Sequence, residues 1–396
     1  MRGCAESFHG RNGRAGRASS VDQVRDAREK KILRGLLCAA LALATAATVS
    51  PAAASAASDD ARLQKGLDAI RAAGAVGVIA EVRLEGRVWR GSAGSVRLGR
   101  QVTPTGKERF RAGSVVKSFV ATVVLQLVAE RRLRLDDTVG DLLGVGEDKV
   151  ERADKITVRQ LLTHTAGVPE YLPEGEPPGG ALANRHRTWR PAELIALARR
   201  HPRPFEPGAQ QVYSNTNYVL LGMIINRVTG RDFGTEIHRR IVRPLGLKDT
   251  EVPGSRPAIK GRYLHGYLNG SDGEPVDISA YNMTVAAGSG NLISTDADLN
   301  RFFHALATGR LVRPALVRLM TTGKEYGMGL GLMPTPCGLA IGHTGTAYGY
   351  QTMSFHLANG RRQASISYTP RTGRELQATN AMLWKTLCPS IGRAPK

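Results

Sequence analysis

Hydrophobic and polar positions fall into three successive patterns along the chain. Strand-like runs at residues 76–82 and 87–92 flank Glu85-Gly86, which predicts a hairpin with residues 94–97 as its extension. Ahead of them, Asp59 and Asp60 stand before Leu63, Leu67 and Ile70, the spacing of a short helix with acids at its positive end. Helical periodicity then takes over. Residues 114–132 contain no Pro or Gly, and Val115, Val116, Phe119, Val120, Val123, Val124, Leu127 and Val128 put apolar groups on most sides, as a buried central helix requires. Thr157-Val158-Arg159-Gln160 is a capping box opening a helix that carries Leu161 and Leu162 and stops near Gly167. Residues 217–228 predict another helix, with Leu220, Leu221, Ile224, Ile225 and Val228 on one face and Gly230 as its stop. Between these two, residues 173–190 are rich in Pro, Gly and Arg and read as a long loop.

Strand patterns return after Gly338, at residues 339–346, 351–357 and 363–369, the last two joined by an Asn359-Gly360 turn. A closing helix at residues 372–387 carries Leu376, Leu383 and Leu387 on one stripe. The layout is α+β: an antiparallel β-sheet formed by both ends of the exported chain, flanked by helices, with an inserted mainly helical region. No internal repeat is visible.

An export signal precedes these elements. Arg25, Arg28, Lys30, Lys31 and Arg34 come before an uncharged stretch at residues 35–49, and Ala54-Ser55-Ala56 supplies the small residues that signal peptidase needs. The stretch is short for a membrane span, which takes about 20 residues. Cys38 lacks the small residues of a lipoprotein signal before it, so no lipid or other stable membrane anchor is expected. Residues 1–56 are thus read as an N-terminal extension with a secretory signal peptide. Residues 57–396 are read as one catalytic domain, secreted and either extracellular or associated with the cell wall.

Composition narrows the function. A chain of 396 residues with 42% hydrophobic positions is long enough for a full core, which excludes disorder and small disulfide scaffolds. The net charge is +21, and loss of residues 1–56 removes nine basic and four acidic residues to leave +16. No run reaches five consecutive Lys or Arg, and aromatics make up only 5%, so a nucleic-acid groove is not indicated. Of four cysteines, Cys4 and Cys38 leave with the signal. Cys337 and Cys388 are then expected to pair in an exported protein, closing a 51-residue loop worth about 4 kcal/mol. Two distant cysteines and nine histidines without HExxH spacing argue against a zinc site, and no metal or cofactor is expected.

Chemistry concentrates in three short motifs. Ser114-Val115-Val116-Lys117 puts a hydroxyl on the first turn of the buried helix and an amine one turn later on the same face. Burial would lower the lysine pKa so that it could accept the serine proton, and the helix N-terminus favours developing negative charge. The alternative is a structural lysine that snorkels to the surface. Tyr213-Ser214-Asn215 precedes a helix, where a phenol and a carboxamide could project into a cleft, or where Ser or Asn could act simply as an N-cap. His343-Thr344-Gly345-Thr346 lies late in a strand beside Gly342 and Gly349, where a ligand could approach exposed backbone amides; otherwise His343 is an ordinary strand residue.

In the order Ser-x-x-Lys, Tyr-x-Asn, His-Thr-Gly, these motifs resemble the serine penicillin-recognising enzymes, specifically the secreted D-alanyl-D-alanine carboxypeptidase and class C β-lactamase branch. The resemblance covers essentially all of residues 57–396. It includes Leu161-Leu162-Thr163-His164-Thr165-Ala166-Gly167-Val168-Pro169, Phe205-Glu206-Pro207-Gly208, Tyr213-Ser214-Asn215-Thr216-Asn217-Tyr218 and Gly290-Asn291-Leu292-Ile293-Ser294-Thr295. It implies that Ser114 forms an acyl-enzyme, with Lys117 and Tyr213 handling its proton and that of the leaving amine. Asn215 would hold the substrate amide, His343 and Thr344 would line the opposite wall, and the backbone N–H groups of Ser114 and Thr346 would form the oxyanion hole. His164 is expected to be structural. The pairing of Cys337 with Cys388 is also similar to the peptidase group, and His-Thr-Gly in place of Lys-Thr-Gly favours the carboxypeptidases. One departure stands out: that type carries an arginine shortly before the third motif to bind the terminal carboxylate, and residues 327–342 contain no Arg or Lys.

The leading expectation is therefore a monomeric, secreted serine D,D-carboxypeptidase acting on peptidoglycan stem peptides and acylated by β-lactams. A class C-like β-lactamase or an esterase on the same scaffold is the alternative that the missing arginine favours. A non-catalytic cell-wall or ligand-binding module is a third, against which stands the presence of Ser114, Lys117, Tyr213 and Asn215 together.

Overall fold

The computed structural model describes residues 51–145 and 150–389. Of the extension and export signal expected over residues 1–56, residues 1–50 lie outside them, and residues 51–56, with Ala54-Ser55-Ala56, fall in the first helix. The first helix, α1 (Pro51–Ala72), starts earlier than Asp59 because the run of alanines before it is itself strongly helix-forming. The chain divides into one unit ending at Ser58 and another beginning at Asp59, and all the side chains discussed below belong to the second.

Strands β1 (Gly77–Leu84) and β2 (Arg87–Gly94) form the expected hairpin, its two-residue turn made by Glu85 at φ 50° and Gly86 at φ 94°. A short β3 (Phe110–Arg111) leads through a 3₁₀ turn (Gly113–Val115) into α2 (Val116–Ala129). The helical region continues with α3 (Val139–Leu143), α4 (Val158–Leu162), α5 (Pro191–Ala198), α6 (Asn215–Thr229) and α7 (Phe233–Ile237). The capping box at Thr157 and Gln160 forms as predicted, and Gly230 ends α6 in the left-handed conformation. Small strands β4 (Tyr267–Asn269), β5 (Pro275–Asp277) and β6 (Ile293–Ser294) precede α8 (Asp296–Ala307) and α9 (Pro314–Met320). The chain closes with β7 (Gly331–Thr335), β8 (Gly338–Ala347), β9 (Tyr350–Leu357), β10 (Arg362–Tyr368) and α10 (Glu375–Leu387).

One antiparallel sheet in the order β2-β1-β10-β9-β8-β7 joins the two ends of this unit, as the α+β reading requires. β1 pairs with β10, Val78 opposite Tyr368 and Ala80 opposite Ile366, so the even-numbered side chains of both strands share a face. That face buries Leu63 and Leu67 of α1 with Leu383, Trp384 and Leu387 of α10. Leu376, expected on the same stripe, is instead 48% exposed. It lies in the first turn of α10, where the buried Glu375 takes the inward position and accepts the N–H groups of Arg371 and Thr372.

The opposite face carries α2 and α8 and is more polar. Asn300 of α8 donates to the Glu81 carbonyl (2.8 Å) and accepts from Ser365 (2.9 Å), and Ser367 donates to Asp296 (2.7 Å). Eleven of the fourteen residues of α2 are buried, which is why its sequence reads as apolar nearly all round. Phe119 of α2 stacks on Phe302 of α8 with ring centroids 3.7 Å apart. Each such fully buried side chain contributes about 2 kcal/mol, and together they fix where α2 begins relative to the sheet.

Candidate active site

Between Phe110 and Leu125 every residue is buried except Ser114, which is partly open to solvent. The 3₁₀ turn that presents it requires a glycine. Gly113 has φ 54°, and a Cβ there would stand 2.4 Å from the Thr346 carbonyl oxygen. Gly345 meets the same turn from the other side, since its Cβ would fall 1.9 Å from the Ala112 carbonyl oxygen. Two glycines thus let the Ser114 turn lie directly against β8.

Lys117 lies one helical turn on, and its amine is fully buried. Nζ is 2.9 Å from Ser114 Oγ, 2.7 Å from Asn215 Oδ1 and 2.6 Å from the Ser289 carbonyl oxygen. That burial excludes a lysine that snorkels to the surface. Removal from water lowers its pKa from the usual 10.5 to about 7, partly offset by the nearby Glu170. As a neutral amine it gives its two hydrogens to Asn215 and Ser289, and its lone pair faces Ser114.

Tyr213 and Asn215 reach the same point from the start of α6. The Tyr213 hydroxyl end lies beside Ser114, and Lys117 Nζ lies 4.8 Å from the centre of its ring. Although the ring is 43% exposed, its hydroxyl end is withdrawn from water, which pushes the phenol pKa up and keeps it protonated. Ser214 occupies the N-cap position without a side-chain capping bond, so neither it nor Asn215 is there merely as a cap. Asn215 donates its backbone N–H to Glu170 (2.6 Å), and its amide oxygen is taken by Lys117.

His164 plays a supporting part, as expected. It holds φ 59°, is buried, and accepts at Nδ1 from the Ser214 N–H (3.2 Å) and the Asn217 amide (3.1 Å). Its ring packs 4.3 Å from that of Tyr213 and 4.8 Å from that of Tyr326. Burial holds its pKa well below the usual value.

The third motif forms the facing wall. β8 and β9 turn through Tyr348 and Gly349 onto the pair Ala347–Tyr350, so alternation points the backbone N–H and C=O of Thr346 away from β9. β7 pairs with β8 only as far as Gly342, which leaves the edge from His343 to Ala347 open beside Ser114. His343 lines this wall with both ring nitrogens engaged: Nε2 lies 3.0 Å from the Tyr326 hydroxyl, and Nδ1 contacts the Thr344 carbonyl. Burial, and secondarily the Lys117 charge, lowers its pKa to about 3, so it is neutral. Neutral His343 donates from Nδ1 and accepts from Tyr326.

A cavity of about 790 Å³ opens over these groups, lined by Ser114, Tyr213, Asn215, His343, Thr344 and Thr346. All the predicted site residues thus meet at one place. Four contributors were not foreseen. Glu170 and Tyr171 follow the recognised Thr163-His164-Thr165 segment, Ser289 acts through its backbone carbonyl, and Tyr326 comes from a stretch without periodicity. The only signal for Ser289 was its place just before the Gly290-Asn291 landmark. No Arg or Lys is among the residues lining the cavity, whereas Glu174 and Glu176 are. Far from this site, the sulfurs of Cys337 and Cys388 are joined, with Cα atoms 5.6 Å apart.

Comparison with known proteins agrees with this geometry. The Beta-lactamase family profile matches residues 60–367. A penicillin-binding protein from Bacillus subtilis is 30% identical over 283 residues, covering 64% of this chain and 59% of that protein. An Escherichia coli protein provisionally assigned as a D-alanyl-D-alanine carboxypeptidase is 24% identical over 271 residues, covering 60% and 61%. The chain therefore spans about three-fifths of the length of these curated relatives. Among solved structures, a D-stereospecific amidohydrolase from Streptomyces superposes with TM-score 0.76 at 34% identity, covering 84% of this chain and 99% of that one. A serine and a buried lysine at one helix end, faced by an open strand edge within this fold and family match, place the chain in the beta-lactamase family of serine hydrolases.

Proposed function

We propose that this protein hydrolyses amides or esters of D-aminoacyl groups that carry a free α-ammonium, through an acyl-enzyme on Ser114. The observation that carries the choice of substrate is the charge of the cavity. Glu174 and Glu176 stand among its lining residues, and no lysine or arginine does. A substrate carboxylate would meet like charge there, while an ammonium would meet opposite charge and the faces of Tyr171, Tyr213 and Tyr348. The Streptomyces amidohydrolase, similar over nearly its whole length, supports the D-stereospecific part.

In the proposed mechanism neutral Lys117 takes the Ser114 proton as Oγ attacks the acyl carbon. The N–H groups of Ser114 and Thr346 hold the oxyanion, and the Asn215 amide nitrogen donates to the acyl group. Collapse breaks the bond to the leaving group, which takes its proton from the Tyr213 hydroxyl, itself resupplied from the Lys117 ammonium. Water then attacks the ester and gives its proton to the same amine, restoring Ser114. His343, uncharged and doubly hydrogen-bonded, shapes the wall without contributing charge. The basic-then-apolar segment at residues 25–49 supports export of the enzyme with loss of residues 1–56.

A second reading, the D,D-carboxypeptidase acting on peptidoglycan stem peptides and acylated by β-lactams, is favoured by the His343-Thr344-Gly345 motif and by the named function of the Escherichia coli relative. Rates on three substrates separate the two. D-phenylalanine p-nitroanilide should give a kcat/KM at least tenfold above its N-acetyl derivative and above an N-acylated D-Ala-D-Ala peptide. Release of D-alanine from that peptide at the higher kcat/KM would overturn the amidase reading in favour of the second.

A further inference from the structure

The fold gathers four arginines that are far apart in the chain. Arg71 at the end of α1, Arg97 and Arg100 on the loop after β2, and Arg371 after β10 line one cleft of about 470 Å³. No carboxylate lines it, and among the described residues none of the four guanidinium groups is paired with an acid. Elsewhere the pattern differs: Arg109, in another cleft, pairs with Asp249 (2.8 Å) and Glu251 (3.8 Å). Glu375 lies next to Gly74 but is not among the lining residues; it is fully buried and takes the N–H groups of Arg371 and Thr372.

The loop bearing two of these arginines is held in place. Ser95 donates to the Arg100 carbonyl (2.6 Å) and accepts from the Val102 N–H (3.2 Å), and the Val96 N–H donates to the Val102 carbonyl (2.9 Å). Its tip is tied to β4. The Leu98 N–H donates to the Tyr267 hydroxyl (3.0 Å), and Arg371 donates to Asn269 (3.0 Å). Tyr267 and Leu268 of the same strand line the catalytic cavity. β4 is therefore a wall shared by the cleft and the cavity.

We propose that the four-arginine cleft is an anion-binding subsite for a chain that bears repeated phosphate or carboxylate groups. A guanidinium presents a planar fork matched to such oxyanions, and unpaired arginines around an open cleft suit several anionic groups better than one. A ligand held there lies beside the cavity mouth and concentrates the enzyme on an anionic polymer. This subsite is independent of what the cavity hydrolyses.

The test is titration of the full chain with long-chain polyphosphate, with polyglutamate and with inorganic phosphate, followed by calorimetry across a range of salt concentrations. Arg97→Gln/Arg371→Gln should weaken binding of at least one polymer about tenfold or more and flatten its salt dependence. Arg313→Gln/Arg318→Gln, which removes the same charge from α9, should change little. Arg100→Gln, whose side chain ties nothing together, should give a severalfold loss and guards against misfolding of the double variant. Competition by millimolar inorganic phosphate, lost in the same variants, would identify a single phosphate as sufficient and still support the subsite. Equal loss in both double variants, or no loss in Arg97→Gln/Arg371→Gln and Arg100→Gln, would overturn it as general surface charge.

Discussion

A buried amine between two carbonyl-type oxygens has two hydrogens to donate and one lone pair left over. In Lys117 that lone pair points at Ser114, because Asn215 Oδ1 and the Ser289 carbonyl take the rest. With its pKa lowered to about 7, the amine becomes neutral as pH rises through that value. The expected kcat/KM therefore climbs with an apparent pKa near 7. A flat profile from pH 6 to 9 would mean that another group takes the proton. The same burial bears on stability. In the unfolded chain Lys117 keeps its proton up to its ordinary 10.5, so between pH 7 and 10.5 the unfolded state binds more protons and wild-type stability rises with pH. Chemical denaturation of wild type and Lys117→Met should show the wild type gaining on the variant from pH 7 to pH 10, by on the order of 4 kcal/mol. Ser114 and Lys117 were legible because a helix puts positions i and i+3 on one face and the sequence there has no helix breaker. Glu170, Ser289 and Tyr326 were not, since each arrives through tertiary contact from a loop or turn with no periodic signal.

At the scale of elements, the site depends on how closely a 3₁₀ turn can approach a strand. Gly345→Ala would drive a methyl group into the Ala112 carbonyl and push Ser114 away from the β8 edge. The expected result is a loss of kcat of about a hundredfold with about 1–3 kcal/mol of destabilisation, read by steady-state kinetics and urea melts. Unchanged kcat would show that the turn has room to spare. The strands at both ends were readable from alternation and from their turns. β7 was not, because Gly331–Thr335 is a partly exposed edge segment containing Pro334, and neither feature signals a strand. The tiny β3–β6 and β4–β5 pairs are too short to leave a period. Leu376 was misplaced because an apolar residue in a first helical turn can sit above the packing layer, and here Glu375 fills the inward place.

For the whole molecule, the Cys337–Cys388 bond ties the turn between β7 and β8 to the end of α10. Cys337→Ser/Cys388→Ser should lower unfolding free energy by about 4 kcal/mol on the chain-entropy model, with kcat/KM within twofold of wild type. A large fall in kcat with little change in stability would instead mean that the bond shapes the catalytic edge of β8. Net charge was legible from composition, but its arrangement was not. Arg71, Arg97, Arg100 and Arg371 form no run in sequence and meet only because the two ends of the chain share a sheet.

The central claim is that Ser114 carries the acyl group. Intact-mass spectrometry, with the protein quenched at intervals after mixing with an activated ester of D-phenylalanine, tests it most directly. The account predicts a transient phenylalanyl adduct that peptide mapping assigns to Ser114. The Ser114→Ala variant should show no adduct and keep its stability within about 1 kcal/mol of wild type. An adduct on another residue, or wild-type turnover by Ser114→Ala, would contradict it.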